Sequence, residues 1–337
     1  MKEVHQLEII QSNPQQYSQI HSQYNQSLFT HHHWIESISN ENTEPIYWLI
    51  KKDGEIVAKI AGLSVQGSWL RGKELYFYSA PQIICSAVTD MRQVLESILS
   101  YAKQNYYNRL VISSYDNWQN LIEAIPESYL NQREDYVFDL TLPNPHLIHS
   151  SRFKKNYKKS LLTHPQVVEN STSEGISNLL HLLKTTHHIR LSKYSDYDVF
   201  YLPHTNEHQL QKLIDNKMGR VYEIRVENQV HGIALNLEAN HSVFALFMAY
   251  DEFAYKNGLA AYFFYQLIDR YKNEGFTRFN LGGIPKGKEN SGIKVFKESI
   301  GAQSIRLNGL TTNFLLYPQK ILNPILHLVR MMKKLHN

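Results

Sequence analysis

The chain has 337 residues, long for one domain and comfortable for two, and its 42% hydrophobic, 20% charged and 12% aromatic residues are ordinary for a globular protein. Thirty-five Lys and Arg against 31 Asp and Glu leave a formal charge of +4, short of what non-specific nucleic-acid binding normally needs. A single cysteine, Cys85, excludes an internal disulfide framework and a Cys-rich zinc site. No apolar core of signal-peptide length opens the chain and no run of about 18 apolar residues occurs, so a soluble, cytoplasmic protein is expected.

In chain order, Asn13-Pro14 reads as a helix start, and a second short helix runs from His31-His32-His33-Trp34 to Ile38. Three consecutive histidines point around a helix. Metal ligands on one helical face need i, i+3 or i+4 spacing, so no metal site is expected there. From Ile46, IYWLIKK, the Asp53-Gly54 turn and EIVAKIAGLSV predict a hairpin, because Asp-Gly supplies the positive φ such a turn needs. A strand ELYFYSA, a helix over 91–104, a strand over 109–114, a helix over 120–125 and a strand over 136–142 complete a mixed α/β domain ending near Pro143-Asn144-Pro145.

The second half repeats that order. A basic helix over 151–162, with one arginine and four lysines, precedes a short strand VVENS and helices over 176–188 and 206–216. A three-stranded meander over 221–251 follows, with turns at Glu227-Asn228 and Ala239-Asn240, then a helix over 259–271, a strand over 279–281 and a final strand near 304–310. The repetition is one of architecture, without a sequence repeat.

The stretch 278–301, RFNLGGIPKGKENSGIKVFKESIG, reads as a short strand broken by two glycines, then a loop carrying Lys286, Lys288 and Lys294 that leads into Lys297 and closes at Gly301. Glycine loses the most backbone entropy on folding, so such a loop is either a solvated connection or a cradle for a phosphate- or carboxylate-bearing ligand. It is not a nucleotide-hydrolysing P-loop, because Glu289 stands where Ser or Thr must reach magnesium. Cys85 has no partner motif that would make it a nucleophile. In the tail, Ile325, Leu328, Val329, Met332 and Leu335 lie at helical spacing among Lys320, Arg330, Lys333 and Lys334. Such a helix either packs back on its domain or lies on an anionic membrane surface.

Taken together, several features in order resemble the FemAB-like aminoacyltransferases and their relatives in the GNAT acyltransferase superfamily. They are the basic helix RFKKNYKKS, a helix ending in Arg190, AYDEF at the exit of the meander, Gly258-Leu-Ala, and the strand ending Asn280-Leu281-Gly282-Gly283. GIKVFKESIGA over 292–302 is close to that family's Gly-Leu-x-x-Phe-Lys-x-x-Phe-Gly signature, and FTHHHW with the hairpin around KKDGEIVA resembles its N-terminal domain. The resemblance spans about 26–312. Ile300 departs from it, standing where the family has an aromatic residue. Tyr255-Lys-Asn-Gly258-Leu-Ala260 keeps the glycine and alanine of the pyrophosphate loop but not its first position. The long helical-hairpin insertion of some tRNA-using members is not seen.

The resemblance implies an α/β (α+β) fold of two tandem GNAT-like domains, 1–145 and 146–317, each a mixed, mostly antiparallel sheet flanked by helices, then a basic amphipathic helix over 318–337. It implies an N-acyltransferase that moves an acyl or aminoacyl group from acyl-CoA, or from aminoacyl-tRNA, to an amine. The expected acceptor is a small molecule or a lipid-linked cell-envelope precursor. No metal and no permanently bound cofactor are expected; tRNA and the inner membrane face are the expected further contacts. The donor's phosphates require a helix N-terminus, expected at Lys256, Asn257, Gly258, Leu259 and Ala260. The expected catalytic residues are Tyr250 and Asp251 at the strand exit, with Tyr250 as proton donor, and Lys297, which would stabilise developing oxyanion charge. Arg190, Lys193, Asn280, Gly282, Gly283 and Lys294 are the expected substrate contacts. Two other readings remain: a non-catalytic module that binds a carboxylate or phosphate, and a membrane-surface protein acting through its tail.

Overall fold

The computed structural model describes residues 7–20, 27–84, 90–117, 122–191, 206–284 and 291–335. The chain divides into two compact units, Met1–Arg133 with Leu307–Asn337, and Glu134–Arg306. In both, a meander of antiparallel strands is followed by a helix and a strand that returns parallel to the last strand of the meander.

In the first unit, β1 (Glu8–Gln11), α1 (Pro14–Gln19) and α2 (His32–Ile38) precede the long hairpin of β2 (Thr43–Lys52) and β3 (Glu55–Val65). Asp53 and Gly54 turn that hairpin at φ of 51° and 86°, the conformation the Asp-Gly pair favours. β4 (Glu74–Phe77) and β5 (Gln82–Ile83) both pair antiparallel with β3. α3 (Met91–Gln104) leads to β6 (Arg109–Ile112), which lies parallel to β4. α3 buries Val94, Leu95, Ile98, Leu99 and Ala102 among Trp48, Phe77 and Leu110, a stripe at helical spacing. The helix expected over 120–125 is not formed at 122–125, where Ile122 and Ile125 are buried without helical structure. Pro126 disfavours the α conformation in the residue before it, and the Ile125 N–H instead donates to Ser128 Oγ at 3.0 Å.

The second unit begins within β7 (Ser128–Asp139) and continues through α4 (Ser151–Leu161), β8 (Gln166–Glu169), α5 (Ser173–Leu191) and α6 (Glu207–Asp215). β9 (Gly219–Val226), β10 (Gln229–Ala239) and β11 (Ser242–Tyr250) form the meander; α7 (Glu252–Asn257) and α8 (Leu259–Asn273) lead to β12 (Arg278–Gly283), followed by α9 (Ser291–Ile300). Its strand order is β8-β9-β10-β11-β12-β7, antiparallel except for β11 beside β12. Phe138, Phe153, Tyr222, Phe263, Leu267, Tyr271 and Phe279 form the centre of its core.

The expected fold class, a mixed α/β architecture with mostly antiparallel sheets flanked by helices, is the one observed. The compact units are cut at 133/134 and 306/307, not at the expected 145/146 and 317/318. The last strand, β13 (Gln303–Thr312), pairs with β6 at Leu310↔Ile112 and Thr311↔Val111, and so carries the chain back to the first unit. α10 (Asn323–Leu335) goes with it. The stretch expected to loop as far as Gly301 is helical over Ser291–Ile300. Lys286, Lys288 and Cys85 lie outside the described residues. Among the described residues no helix is long and apolar enough to cross a membrane.

Candidate active site

In the second unit the parallel pair β11/β12 opens. Its register runs Ser242↔Arg278, Val243↔Phe279 and Phe244↔Asn280 and stops, although β11 continues to Tyr250 and β12 to Gly283. Both strands bulge at that level, each against its outer neighbour. Along β10, Asn236 faces Ala245 but Leu235 faces Phe247, so Leu246 is an extra residue. Along β7, Val137 faces Asn280 but Asp135 faces Gly283, which puts an extra residue on β12, where Gly282 takes a φ of +71°. A bulge bends and twists the strand that carries it. Two bulges on opposite outer sides drive the pair apart and leave the inner edge of β11 without a ladder partner.

From the end of β11 the chain passes through α7 to the N-terminus of α8. Gly258 ends α7 and begins α8 in the left-handed conformation at φ 72°, without a side-chain cap, so the first N–H groups of α8 are left for another acceptor. A Cβ at Gly258 would lie 2.8 Å from the Asn156 carbonyl of α4, so the junction is packed as well as turned. Lys159 Nζ of α4 donates to the Lys256 carbonyl at 2.5 Å. That brings the basic helix, as well as Lys256 itself, to the phosphate-favouring end of α8. The contact was invisible in the sequence, because it joins residues 97 positions apart.

Lys297 is 9% exposed, and its Nζ donates to the carbonyls of Gly282 and Gly283, both at 2.8 Å. It clamps the bulged end of β12. Asn280 is buried too: its Nδ2 donates to Asp135 at 3.2 Å and its Oδ1 accepts from Gly282 N–H at 2.8 Å. Asn280, Gly282 and Gly283, expected as substrate contacts, thus form one wall of the opening through backbone and side-chain bonds. Asp251 is the N-cap of α7, accepting from Ala254 N–H at 2.8 Å, and its other oxygen bonds His231 Nδ1 at 2.7 Å. Both its oxygens are engaged. Tyr250 is buried beside Tyr255 and Phe263, and its hydroxyl has no partner among the described residues. Burial, with Tyr255 adding to it, pushes that phenol well above its ordinary pKa and keeps it protonated.

The remaining expected residues lie elsewhere. Lys294 is exposed and faces Glu298 across one helical turn at 3.9 Å, an ordinary solvated pair. Arg190 is the penultimate residue of α5, without a described side-chain position, and Lys193 lies outside the described residues. No cluster of three metal-ligating side chains occurs among the described residues.

Among its described residues the first unit shows no such opening. β4 and β6 stay paired from Glu74↔Arg109 to Phe77↔Ile112, and the ladder continues through Ser113 N–H to Phe77 O at 2.7 Å and Tyr115 N–H to Tyr78 O at 3.0 Å. Its helix α3 starts on Asp90, whose carboxylate takes the Arg92 N–H at 3.0 Å, and a capping carboxylate repels phosphate.

Residues 154–297, most of the second unit, match the family model of the acetyltransferase (GNAT) domain. Among solved structures it is similar to FemX, at 13% identity and a TM-score of 0.69 over 94% of this chain and 99% of that one. It is also similar to L-PGS from Bacillus licheniformis, at 16% identity and a TM-score of 0.56 over 95% and 98% of the two chains. A tandem GNAT protein from the clavulanic acid biosynthesis pathway matches at 9% identity and a TM-score of 0.55, over 91% and 98%. At these identities the likeness is one of fold. No curated protein matches the chain.

Proposed function

We propose that the protein is an N-acyltransferase using acyl-CoA, with its cleft in the 134–306 unit. The observation that carries this is the opening of β11/β12 at Phe244/Asn280, set before the uncapped start of α8 at Gly258. The donor's pyrophosphate takes the free N–H groups of Leu259 and Ala260, with Lys256 and Lys159 nearby, and its thioester lies between the strands. The amine attacks the thioester carbonyl; the C–N bond forms, the C–S bond breaks, and the nitrogen's proton passes to solvent. The unladdered edge of β11 supplies N–H groups to the transient oxyanion. Tyr250, whose hydroxyl has no partner among the described residues, passes its proton to the departing thiolate and regains one from solvent. Asp251 and Lys297 act by position, holding α7 and β12.

The acceptor is an amine, and the sequence resemblance implies a cell-envelope precursor or lipid-linked amine. Aminoacyl-tRNA is the competing donor, favoured by the basic face of α4. Acyl-CoA and aminoacyl-tRNA supplied separately with an amine panel, with free thiol and acylated amine both measured, decide between them. Transfer from acyl-CoA is expected; transfer from aminoacyl-tRNA alone replaces the donor assignment, and transfer from neither removes the enzyme reading.

A further inference from the structure

The unit formed by 1–133 and 307–337 carries an apolar face that its own core does not use. Every residue from Pro324 to Val329 of α10 is exposed, with Ile325 and Leu328 at 61% and 60%. Ile325, Leu328 and Met332 stand at i, i+3 and i+7, one stripe of the helix, with Ile321 exposed in the 3-10 turn over Gln319–Leu322 just before it and Tyr317 74% exposed ahead of that turn. Trp69 and Leu70, between β3 and β4, are 82% and 60% exposed.

These segments are tied together. Asn108, 3% exposed, donates through Nδ2 to the Arg71 carbonyl at 3.0 Å and through its N–H to the Lys73 carbonyl at 2.7 Å. Its Oδ1 accepts from Leu316 N–H at 3.1 Å and its carbonyl from Leu315 N–H at 2.8 Å. Gln319 Nε2 donates to the Trp69 carbonyl at 2.8 Å. Asn323 exchanges hydrogen bonds with Phe314 at 2.9 and 2.8 Å, and Arg330 bonds Asn313 Oδ1 at 2.6 Å while covering the Tyr129 ring. One side of α10 is thus fastened to the unit, and the apolar stripe is left outward.

Charge selects the occupant. Residues 307–337 contain four Lys and Arg and no Asp or Glu, and 66–73 contains Arg71 and Lys73 with no acid. Of these, Lys320 is already held by Glu127 at 3.1 Å. A second copy meeting this face by two-fold symmetry would set basic residues against basic residues. A bilayer with anionic headgroups accepts apolar side chains, an interfacial tryptophan and surrounding cations together.

We propose that this face, made of Trp69, Leu70, Tyr317, Ile321 and the Ile325/Leu328/Met332 stripe, seats the unit on an anionic lipid bilayer, lying in its surface without spanning it. The test is sedimentation of the full chain with phosphatidylcholine vesicles and with vesicles containing one quarter phosphatidylglycerol. Binding to the anionic vesicles is expected to exceed that to the neutral ones by about tenfold and to fall by about tenfold between 50 and 500 mM salt. I325D/L328D is expected to lower it by at least about tenfold, and W69A severalfold, with unchanged thermal melting because these side chains are exposed. Absence of binding to anionic vesicles, or undiminished binding by I325D/L328D, overturns the proposal. A chain that is dimeric in solution, does not sediment with vesicles and becomes monomeric as I325D/L328D also overturns it, giving the face to a second copy.

Discussion

Lys297→Met separates two roles for this lysine, holding the strand or acting on the substrate. Methionine keeps the length and the apolar stem but removes both hydrogen bonds to the Gly282 and Gly283 carbonyls, each 2.8 Å long. Hydrogen bonds to charged groups contribute about 1.5–3 kcal/mol each, and part of that is offset because a buried charge no longer has to be desolvated. A net loss of about 2–4 kcal/mol is therefore expected. Urea denaturation followed by circular dichroism measures it, beside kcat and the donor Kd of the folded variant. The structure predicts that stability and donor binding fall together, because the bulged end of β12 relaxes toward β11. A variant with wild-type stability and wild-type donor affinity but negligible kcat would refute this reasoning and return Lys297 to the chemistry.

The other predictions concern the junction, the phenol, the cap and the pH. Gly258→Ala strains a left-handed residue by about 1–2 kcal/mol and crowds the Asn156 carbonyl, so calorimetry is expected to show acyl-CoA affinity lowered at least about tenfold. Tyr250→Phe removes a hydroxyl that has no partner among the described residues; melting is expected to be unchanged or raised while kcat drops at least about tenfold. Asp251→Asn keeps an acceptor for the Ala254 N–H, so most of the activity should survive in steady-state assays, whereas Asp251→Ala should cost about 1 kcal/mol in denaturation. His149, buried against the Ile300 carbonyl, has its pKa pulled from 6.5 down to about 4 by burial. The unfolded chain then binds the extra proton between those values, so stability is complete above about pH 6.5 and is lost as pH falls toward 4, by about 2 kcal/mol at pH 5. His149→Asn should flatten that part of the pH dependence of urea midpoints.

What the sequence disclosed is what local physics decides. Asp53-Gly54 and Glu227-Asn228 each place two successive residues at positive φ, and each turns the hairpin its dipeptide announces. The helix start at Leu259 was readable from the glycine before it. The opening was not. It depends on one extra residue at Leu246 and another on β12 near Gly282, and an extra residue exists only relative to the strand alongside. The bonds of Lys297 were hidden for a related reason: the stretch reads as a loop closing at Gly301, and its contacts with the Gly282 and Gly283 carbonyls exist only once its helix is laid against the end of β12. The return of β13 to β6 pairs positions about 200 apart, which no local pattern encodes. Asp251 could have been read as a cap, since Asp-Glu-Phe-Ala opens a helix as an N-cap does, although its His231 partner could not have been foreseen.

A crystal structure of the chain with a non-hydrolysable acyl-CoA tests the central claim most directly. One donor molecule per chain is expected, its pyrophosphate on the N–H groups of Leu259 and Ala260 and its acyl group between β11 and β12 beyond Phe244 and Asn280. A donor bound at Asp90 in the other unit, or no donor at saturating concentration, would contradict it.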